Sequence, residues 1–395
     1  MRSHEQTHLA RILGESAQRI KDGLGQLSED GAVGAGERAT EDVLASLDTV
    51  ARRVIDVEVA LKEDVARRKR RSPLKALRQW TSPRLGILRH HLPEQLRVPT
   101  SYLRTMPPSN PPRISIVTPS YEQGRYLGRT VYSVVNQHYP QLEYFVQDGG
   151  SDDETPDVLE RFDGELSGWI SEPDAGQADA INRGFAHTSG EIMAYLNSDD
   201  LLLPGSLAFV ARYFAAHPDV DAVYGHRILI DEHDRQIGVW VMPPHDDEML
   251  TLADYIPQET LFWRRDLWER AGGQIDVSFK FAVDWDLLLR FRDAGARIVR
   301  LPRFLGAFRI HAEQKTGQQQ QLCDEESERL HRRVLGRAMG DEEIYARVQP
   351  YLRRHVLYHT LHRLESRLPL PRSDVRTTTL EEARELEAIS SFDRR

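Results

Sequence analysis

The sequence has little cysteine and no excess of positive charge, and both features narrow the functional classes open to it. Cys323 is the single cysteine among 395 residues, so an internal disulfide cannot form. The formal net charge of -9 argues against general nucleic-acid binding, which needs a basic excess to release phosphate counterions. A local basic patch is still compatible with this net charge. No apolar run reaches the roughly 18 residues that span a bilayer, and the N-terminal stretch lacks the apolar core of a signal peptide. We therefore expect a cytoplasmic protein.

Several catalytic motifs are also missing. The sequence has no GxxxxGK[ST] loop, which argues against P-loop phosphate transfer, and no GxGxxG after its first predicted strand, which weakens a dinucleotide-binding interpretation. It has no GxSxG nucleophile elbow. It also has no Cys/His pairs at the spacing of a structural zinc site.

The first 104 residues predict a polar, helical region. Apolar positions between Leu44 and Val65 follow a heptad over about three repeats, which predicts either a coiled coil with another chain or a helix docked on its own domain. Residues 67–80 are rich in Arg and Lys with apolar residues interleaved. This pattern fits a solvated helix end or attraction to an anionic membrane surface. Residues 105–112 are rich in proline and are predicted to be a linker.

Residues 113–312 alternate strand and helix signals, which predicts an α/β fold with a mainly parallel sheet covered by helices on both faces. Ligands bind beyond the carboxyl ends of the strands in such sheets. Those ends carry the polar loops TPSYEQG, QDGGSDD, EPDAGQ and NSDD, and we expect the site at that edge.

Residues 313–395 predict a second charged helical region. Leu357, Leu361, Leu364 and Leu368 follow helical spacing beside a basic face. This spacing favours a helix packed on the main domain, with contact to a membrane surface as the alternative.

Three carboxylates at predicted strand ends, Asp148, Asp199 and Asp200, are expected to lie close together. A hard cation such as Mg²⁺ or Mn²⁺ prefers oxygen ligands and commonly binds through one or two carboxylates plus phosphate oxygens. The sequence therefore predicts a metal site that serves a phosphorylated ligand.

At this point three stretches become informative together: residues 114–155 (ISIVTPSYEQG…QDGGSDDET), residues 169–205 (WISEPDAGQADAINRGF…AYLNSDDLLLPG) and residues 281–291 (FAVDWDLLLRF). They resemble family 2 glycosyltransferases with the GT-A fold, and the bacterial enzymes of O-antigen and surface-polysaccharide synthesis in particular. The resemblance covers about half of the chain and implies a GT-A domain at 113–312, flanked by the two helical regions.

The resemblance implies roles for individual residues. The donor nucleotide sugar is expected to contact a set of loop residues: Pro119, Ser120, Tyr121, Glu122, Asp148, Asp174, Gly176, Gln177, Asn182, Asn197, Gln258 and Lys315. NSDD matches the family's DxD metal motif with Asn197 at its first position, so Asp199 becomes the principal ligand of Mn²⁺ or Mg²⁺ and Asp200 the second. His311 is implied to approach the metal or the diphosphate. The alternative for the two aspartates is that they cap the helix that follows near Pro204.

VDWDLLLR matches the family's acidic motif, with Val283 in place of a glutamate, and puts Asp284 at the position of the general base. Asp286 is the alternative base, and both aspartates could instead be ordinary charges at a helix N-terminus. Only one of the two is expected to serve, because a base must come within about 2.6–3.2 Å of the acceptor hydroxyl.

The resemblance thus implies a metal-dependent inverting glycosyltransferase, of hexosyltransferase type, that acts on a glycan or lipid-linked acceptor. Peripheral membrane contact and a homo-oligomer formed through the N-terminal helix are compatible with the flanking regions. Two rival functions stay open: a nucleotidyltransferase, which would release pyrophosphate, and an assembly protein that binds nucleotide or glycan without turnover.

Overall fold

A ten-stranded mixed sheet organises the part of the chain that the computed structural model describes, which is residues 92–311, 320–367 and 377–379. Its strands are β1 (Glu94–Gln95), β3 (Ile114–Ser120), β4 (Leu142–Asp148), β5 (Gly168–Ser171), β6 (Ile192–Tyr195), β7 (Leu201–Leu202), β8 (Ala222–Ile230), β9 (Arg235–Trp240), β10 (Phe262–Arg264) and β11 (Ile298–Arg309). Two further strands, β2 (Arg97–Pro99) and β12 (Thr377–Thr379), form a separate antiparallel pair.

The helices of the described residues are α1 (Thr100–Leu103), α2 (Gly124–Val135), α3 (Thr155–Phe162), α4 (Gln177–Ala186), α5 (Ser206–Ala216), α6 (Asp247–Leu252), α7 (Arg265–Arg270), α8 (Val283–Asp293), α9 (Gln320–Leu335) and α10 (Asp341–Arg367). A short 3₁₀ helix spans Gln258–Thr260. No helix among the described residues is both long enough and apolar enough to cross a membrane.

The strand and helix alternation predicted for residues 113–200 is confirmed. Strands β3, β4, β5 and β6 are parallel neighbours, and α2, α3 and α4 connect them in turn. The antiparallel β10 joins this parallel half to β8, which pairs in parallel with β11 and in antiparallel with β9. The register aligns Ser120 with Asp148 and Asp148 with Ser171. The polar loops that follow these strands consequently meet at one edge.

Helices cover both faces of the sheet because successive side chains along its strands point to opposite faces, and the side chains on both faces are apolar. On β6, Ile192 and Ala194 belong to a core with Leu127 and Val131 of α2, whereas Met193 and Tyr195 point into the opposite core. The second core takes in α4, α8 and the C-terminal helices α9 and α10. The structure therefore confirms the predicted α/β class, a GT-A type sheet with helices on both faces.

The two flanking regions differ in part from the helical prediction. Residues 94–95, 97–99 and 377–379 are strands. Proline explains the strand at 97–99, because Val98 precedes Pro99 and the residue before a proline disfavours the helical conformation. The heptad between Leu44 and Val65 and the basic stretch at 67–80 lie outside the described residues. All the described residues belong to one compact unit, Pro83–Arg395, and the boundaries at 105, 113 and 313 stay predictions.

Helix α10 does pack on the main domain, but not through Leu357 or Leu361; the Leu364 side chain and Leu368 lie outside the part of the chain that the structure describes. Val348, Tyr351 and Leu352 are buried in the second core, whereas Leu357 and Leu361 are 54% and 45% exposed. The helical periodicity was present in both sets, and the sequence alone could not tell which turn of the helix reaches the domain. Leu357 and Leu361 are thus left on the surface.

Candidate active site

A cleft of about 780 Å³ opens at the carboxyl ends of the parallel strands, where the sequence predicted the site. Most of the predicted residues line it: Pro119, Ser120, Tyr121, Asp174, Gly176, Gln177, Asn197, Asp199, Asp200, Gln258, Asp284 and His311. They come from loops at the parallel strands on one side and from residues 254–311 on the other. The cleft therefore joins two halves of the chain that are far apart in sequence.

Asp148 lies behind the wall of the cleft and organises one of its loops. Its carboxylate accepts hydrogen bonds from the backbone N–H groups of Gly150 and Ser151, at 3.1 and 2.9 Å, and from the hydroxyls of Ser151 and Ser171, at 2.6 and 2.7 Å. It is fully buried. Three of the four donors bind Oδ2 and one binds Oδ1, so the Asp148 carboxylate holds its own loop in place.

The loop that Asp148 holds forms a narrow wall next to two cleft residues. A side chain at Gly149 would press against the Tyr121 ring and the Asp174 carboxylate, at 3.1 and 3.2 Å. The Tyr121 side chain is 63% exposed and offers an open ring face. Desolvation raises the pKa of Asp174, although the backbone N–H of Gly176 donates to its carboxylate at 2.8 Å.

Besides Asp148, two more of the predicted donor-binding residues lie outside the cleft lining. Both ends of the Asn182 amide are used by Ile275: Asn182 donates to its carbonyl at 2.9 Å and accepts from its N–H at 2.7 Å. The Glu122 carboxylate accepts from the backbone N–H of Asp152 at 2.9 Å. Both side chains fasten neighbouring segments to each other. Lys315 falls outside the described residues.

Three amide side chains form a chain of hydrogen bonds across the floor of the cleft. Gln177 donates to the Asn197 side-chain oxygen at 2.7 Å, Asn197 donates to Gln258 at 3.3 Å, and Gln258 donates to the Tyr195 carbonyl at 2.7 Å. Asn197 occupies the position where the family's motif has an aspartate. Its amide can both accept from Gln177 and donate to Gln258, whereas a carboxylate could only accept.

The structure brings Asp199 and His311 into contact. The Asp199 carboxylate lies 2.9 Å from Nε2 of His311, and the His311 ring packs 4.7 Å from the ring of Tyr126. His311 lies two residues after the end of β11, whose residues Gly306 and Ala307 pair with β7 beside the NSDD loop. The pairing of strands that are distant in sequence therefore brings His311 next to Asp199.

Asp200 lines the cleft beside Asp199 but is almost completely buried. Its carboxylate accepts from the backbone N–H of Arg309 at 3.0 Å. Desolvation, together with the nearby Asp199 and Glu259, raises its pKa well above the usual value. The capping alternative is wrong, because α5 begins at Ser206 after Gly205 and receives no side-chain cap.

Within the described residues, no three His, Cys, Asp or Glu side chains form a group that could hold a metal ion by themselves. Asp199 and His311 nevertheless fit a site that is completed by substrate oxygens, since divalent cations at nucleotide sites commonly take one or two protein ligands plus phosphate. Of the predicted set of Asp199, Asp200 and His311, Asp199 and His311 are in direct contact in the cleft, and all three stay predicted ligands.

The structure separates the two candidates for the general base. Asp286 is completely buried and bound to two arginines, Arg290 at 2.9 Å and Arg333 of helix α9. Asp284 lines the cleft, and its carboxylate accepts from the backbone N–H of Trp285 at 3.0 Å. Burial raises the pKa of Asp284 above its usual value. Asp284 is therefore the carboxylate that can meet a bound hydroxyl.

Sequence reasoning missed Asp254, which lines the cleft and interacts electrostatically with Asp284. Two neighbouring carboxyl groups repel each other when both are ionised, so the pair favours a state that carries one proton. Desolvation and the neighbouring Asp284 raise the pKa of Asp254 well above its usual value. The backbone N–H of Trp285, which donates to Asp284, instead favours the ionised form of that carboxylate. We therefore expect Asp254 to hold the proton of the pair.

The buried pair of Arg227 and Glu259 was also missed. Arg227 donates to both oxygens of Glu259, at 2.7 and 2.5 Å, and Glu259 is almost completely buried. The guanidinium lies over the rings of Trp240 and Phe308, at 5.1 and 4.3 Å. These residues stand far apart in the sequence and carry no motif, so nothing local could have paired them.

We expect Asp254→Asn and Asp254→Ala to behave differently. The asparagine amide can still donate to the ionised Asp284, whereas alanine removes the donor and raises the pKa of Asp284. Losing a hydrogen bond to a charged group should move the acid limb of the pH–rate profile upward by about one pH unit in Asp254→Ala. Rate profiles of both variants test this. An unchanged profile in Asp254→Ala, or equal shifts in the two variants, would contradict the assigned proton.

Comparison with known proteins shows the family of this chain. Residues 115–266 match the family model for glycosyl transferase family 2. An uncharacterised glycosyltransferase of Mycobacterium tuberculosis is 31% identical over 185 residues, which is 45% of this chain and 68% of the relative. A PGL/p-HBAD biosynthesis glycosyltransferase of Mycobacterium bovis is 29% identical over 193 residues, covering 48% of this chain and 73% of the relative.

Two solved structures match part of the chain at low sequence identity. Staphylococcus aureus TarS residues 1–349 with UDP-GlcNAc gives a TM-score of 0.46 at 18% identity, over 65% of this chain and 76% of that chain. The mannosyltransferase PcManGT of Pyrobaculum calidifontis with GDP-Man and Mn²⁺ gives 0.45 at 19% identity, over 74% and 86%.

The fold and the cleft thus define a glycosyltransferase. The chain belongs to glycosyl transferase family 2.

Proposed function

We propose that this protein is an inverting glycosyltransferase, which transfers a sugar from a nucleoside-diphosphate sugar to a hydroxyl of a glycan or lipid-linked acceptor. One observation carries the proposal. A single cleft holds the open Tyr121 ring, the Asp199–His311 pair and the base candidate Asp284. An aromatic ring suits the nucleotide base, a metal-binding pair suits the diphosphate, and a general base suits the acceptor hydroxyl.

The donor half of the cleft binds and orients the nucleotide sugar. Tyr121 and the loop held by Asp148 receive the base and ribose. The amide chain of Gln177, Asn197 and Gln258 faces the diphosphate and sugar with fixed donors and acceptors, so little ordering is needed on binding.

The pair of Asp199 and His311 holds a divalent cation together with the diphosphate oxygens. When bound, the cation offsets the negative charge that grows on the leaving nucleoside diphosphate. The mixed oxygen and nitrogen donor set suits Mn²⁺ better than Mg²⁺, which strongly prefers oxygen.

Asp284 accepts the proton of the acceptor hydroxyl while the oxygen attacks the anomeric carbon. The bond from that carbon to the diphosphate oxygen breaks in the same displacement, and the configuration inverts. The protonated Asp254 keeps Asp284 ionised and oriented until then. The distance between the Asp284 carboxylate and the acceptor hydroxyl is set by where the acceptor binds.

The acceptor is proposed to lie at a membrane surface. Helix α10 exposes Val356, Leu357 and Leu361, and the exposed Arg353 is one turn before them. Apolar and cationic side chains on one helix face suit the boundary of an anionic bilayer. We therefore propose that the enzyme works at the inner face of the cell membrane.

The proposal is tested by screening sugar nucleotides with the full-length protein and Mn²⁺, with and without glycan and lipid-linked acceptors. Release of a nucleoside diphosphate, matched by glycosylated product, is the expected result. Release of pyrophosphate would instead identify a nucleotidyltransferase. Donor binding by calorimetry without turnover on any acceptor would favour the assembly-protein alternative, and absence of donor binding would overturn the transferase proposal altogether.

A further inference from the structure

Helix α9 reaches the entry of α8 through one buried carboxylate. Glu326 accepts hydrogen bonds from three successive backbone N–H groups, those of Lys280 and Phe281 at 2.9 Å each and that of Ala282 at 2.8 Å. The glutamate is only 6% exposed. The sequence separation from Ala282 is 44 residues, so the contact is a tertiary one.

The segment that Glu326 holds leads into the N-terminus of α8. Ala282 occupies the N-cap position of that helix and offers no side-chain cap. A charged carboxylate on three N–H groups is a strong, short-range arrangement, and its removal leaves those groups buried without partners. The geometry of residues 280–282 therefore depends on Glu326.

The same face of α9 makes three further contacts with this part of the chain. Arg329 donates to the Ser278 hydroxyl at 2.8 Å and lies 4.1 Å over the Phe279 ring, and Arg333 binds the Asp286 carboxylate. Positions 326, 329 and 333 follow helical spacing, so a single stripe of α9 holds residues 278–286 from both sides of Asp284.

Lys280 and Phe281 line the cleft together with Asp284. We infer that Glu326 is a positioning residue of the reaction, which sets the placement of Asp284 by fixing the chain that leads into α8. The inference rests on the proposed function. It also gives the C-terminal helical region a part in turnover, because the contact comes from α9 and not from the domain that carries the family's motifs.

The test is a double-mutant cycle of Glu326→Gln and Asp284→Asn in the full-length protein. Glutamine keeps the size of the side chain but faces the three N–H groups with a single acceptor. We expect kcat to fall about ten- to a hundredfold in Glu326→Gln, because small misplacements of a reacting group have effects of that size. Donor affinity, measured by calorimetry, should stay within about twofold.

The cycle separates positioning from simple stability. If Glu326 acts through Asp284, Glu326→Gln lowers kcat no further in the Asp284→Asn background, whereas it lowers the melting temperature equally in both. Equal losses of kcat in the two backgrounds, or a parallel loss of donor affinity, would overturn the inference. Glu328→Gln is the matched control, since this exposed residue on α9 pairs only with Arg332 among its described contacts and should leave kcat unchanged.

Two further measurements keep the inference falsifiable. If Glu326→Gln does not fold, Glu326→Asp retains the charge on a shorter side chain and should show a smaller fall in kcat, again only when Asp284 is present. If the wild-type protein turns over the donor and both Glu326→Asp and Glu326→Gln keep the full kcat, the positioning role of Glu326 is wrong while the proposed function stands. A wild-type protein without turnover would instead count against the proposed function.

Discussion

Asp284→Asn should lower kcat by about a hundred- to ten-thousandfold, the range that general-base catalysis contributes. The asparagine keeps the size of the side chain and can still line the cleft, but it cannot accept a proton. Donor affinity should therefore be nearly unchanged. Steady-state transfer assays, together with calorimetry of donor binding, measure the two quantities separately.

Two other aspartates on α8 provide the controls for that result. Asp293→Asn changes an exposed carboxylate at the far end of the helix and should be neutral. Asp286→Asn removes the partner of Arg290 and Arg333 and should reduce stability, with a smaller effect on the chemical step. A larger loss of kcat in Asp286→Asn than in Asp284→Asn would indicate that Asp286, and not Asp284, is the general base.

The raised pKa of Asp284 gives the same prediction a pH dependence. A base must be ionised, so activity is lost as the pH falls through the pKa of the folded protein. Burial places that pKa above the ordinary value of 3.8, and the acid limb should lie correspondingly higher. The residual activity of Asp284→Asn should lack this limb, which a pH–rate profile of the variant would reveal.

Asp199→Ala should remove metal-dependent turnover. A cation that stabilises the leaving diphosphate contributes several kcal/mol, so kcat/KM should fall by about a thousandfold or more. His311 also loses its contact with the carboxylate. In the wild-type protein, Mn²⁺ should support faster turnover than Mg²⁺, and a chelator should abolish it.

The matched control for Asp199→Ala is Glu160→Ala, an exposed acidic residue on α3 outside the cleft. It should leave both turnover and metal dependence unaltered. Asp199→Ala with wild-type activity, or wild-type activity that survives the chelator, would show that this cleft works without a cation at Asp199.

The parts of this architecture that depend on local pattern were readable from the sequence. β-branched runs bounded by glycine and aspartate predicted β3, β4 and β6, and the carboxylates after them predicted the edge of the site. The resemblance to a family added the roles of Asp199 and Asp284. Each of these rests on neighbouring residues in the chain, where strand propensity and turn chemistry act.

The parts that were missed depend on contacts between distant residues. The choice between Asp284 and Asp286 is made by Arg333, which comes from α9. Asp254 becomes chemically interesting only beside Asp284, and Glu259 only beside Arg227. The strands β2 and β12 exist as a pair, so neither is evident from its own short sequence. No period or motif encodes such pairings.

Arg309 has a consequence for how this protein can change in evolution. Its side chain binds the Asp199 carbonyl at 2.7 Å, and it also reaches the turn between β8 and β9 through the Asp231 carbonyl at 3.0 Å and the Asp234 carboxylate at 2.5 Å. Arg125 and Arg129 of α2 bind the same turn at Glu232 and Asp234.

Hairpin tips on a protein surface are usually the places where insertions and deletions accumulate. In this chain the tip at residues 231–234 is fastened to the loop that carries Asp199, so a change in its length would displace the NSDD loop. Length variation among descendants of this sequence should consequently collect elsewhere, and this turn should keep its four residues even where its flanking strands diverge.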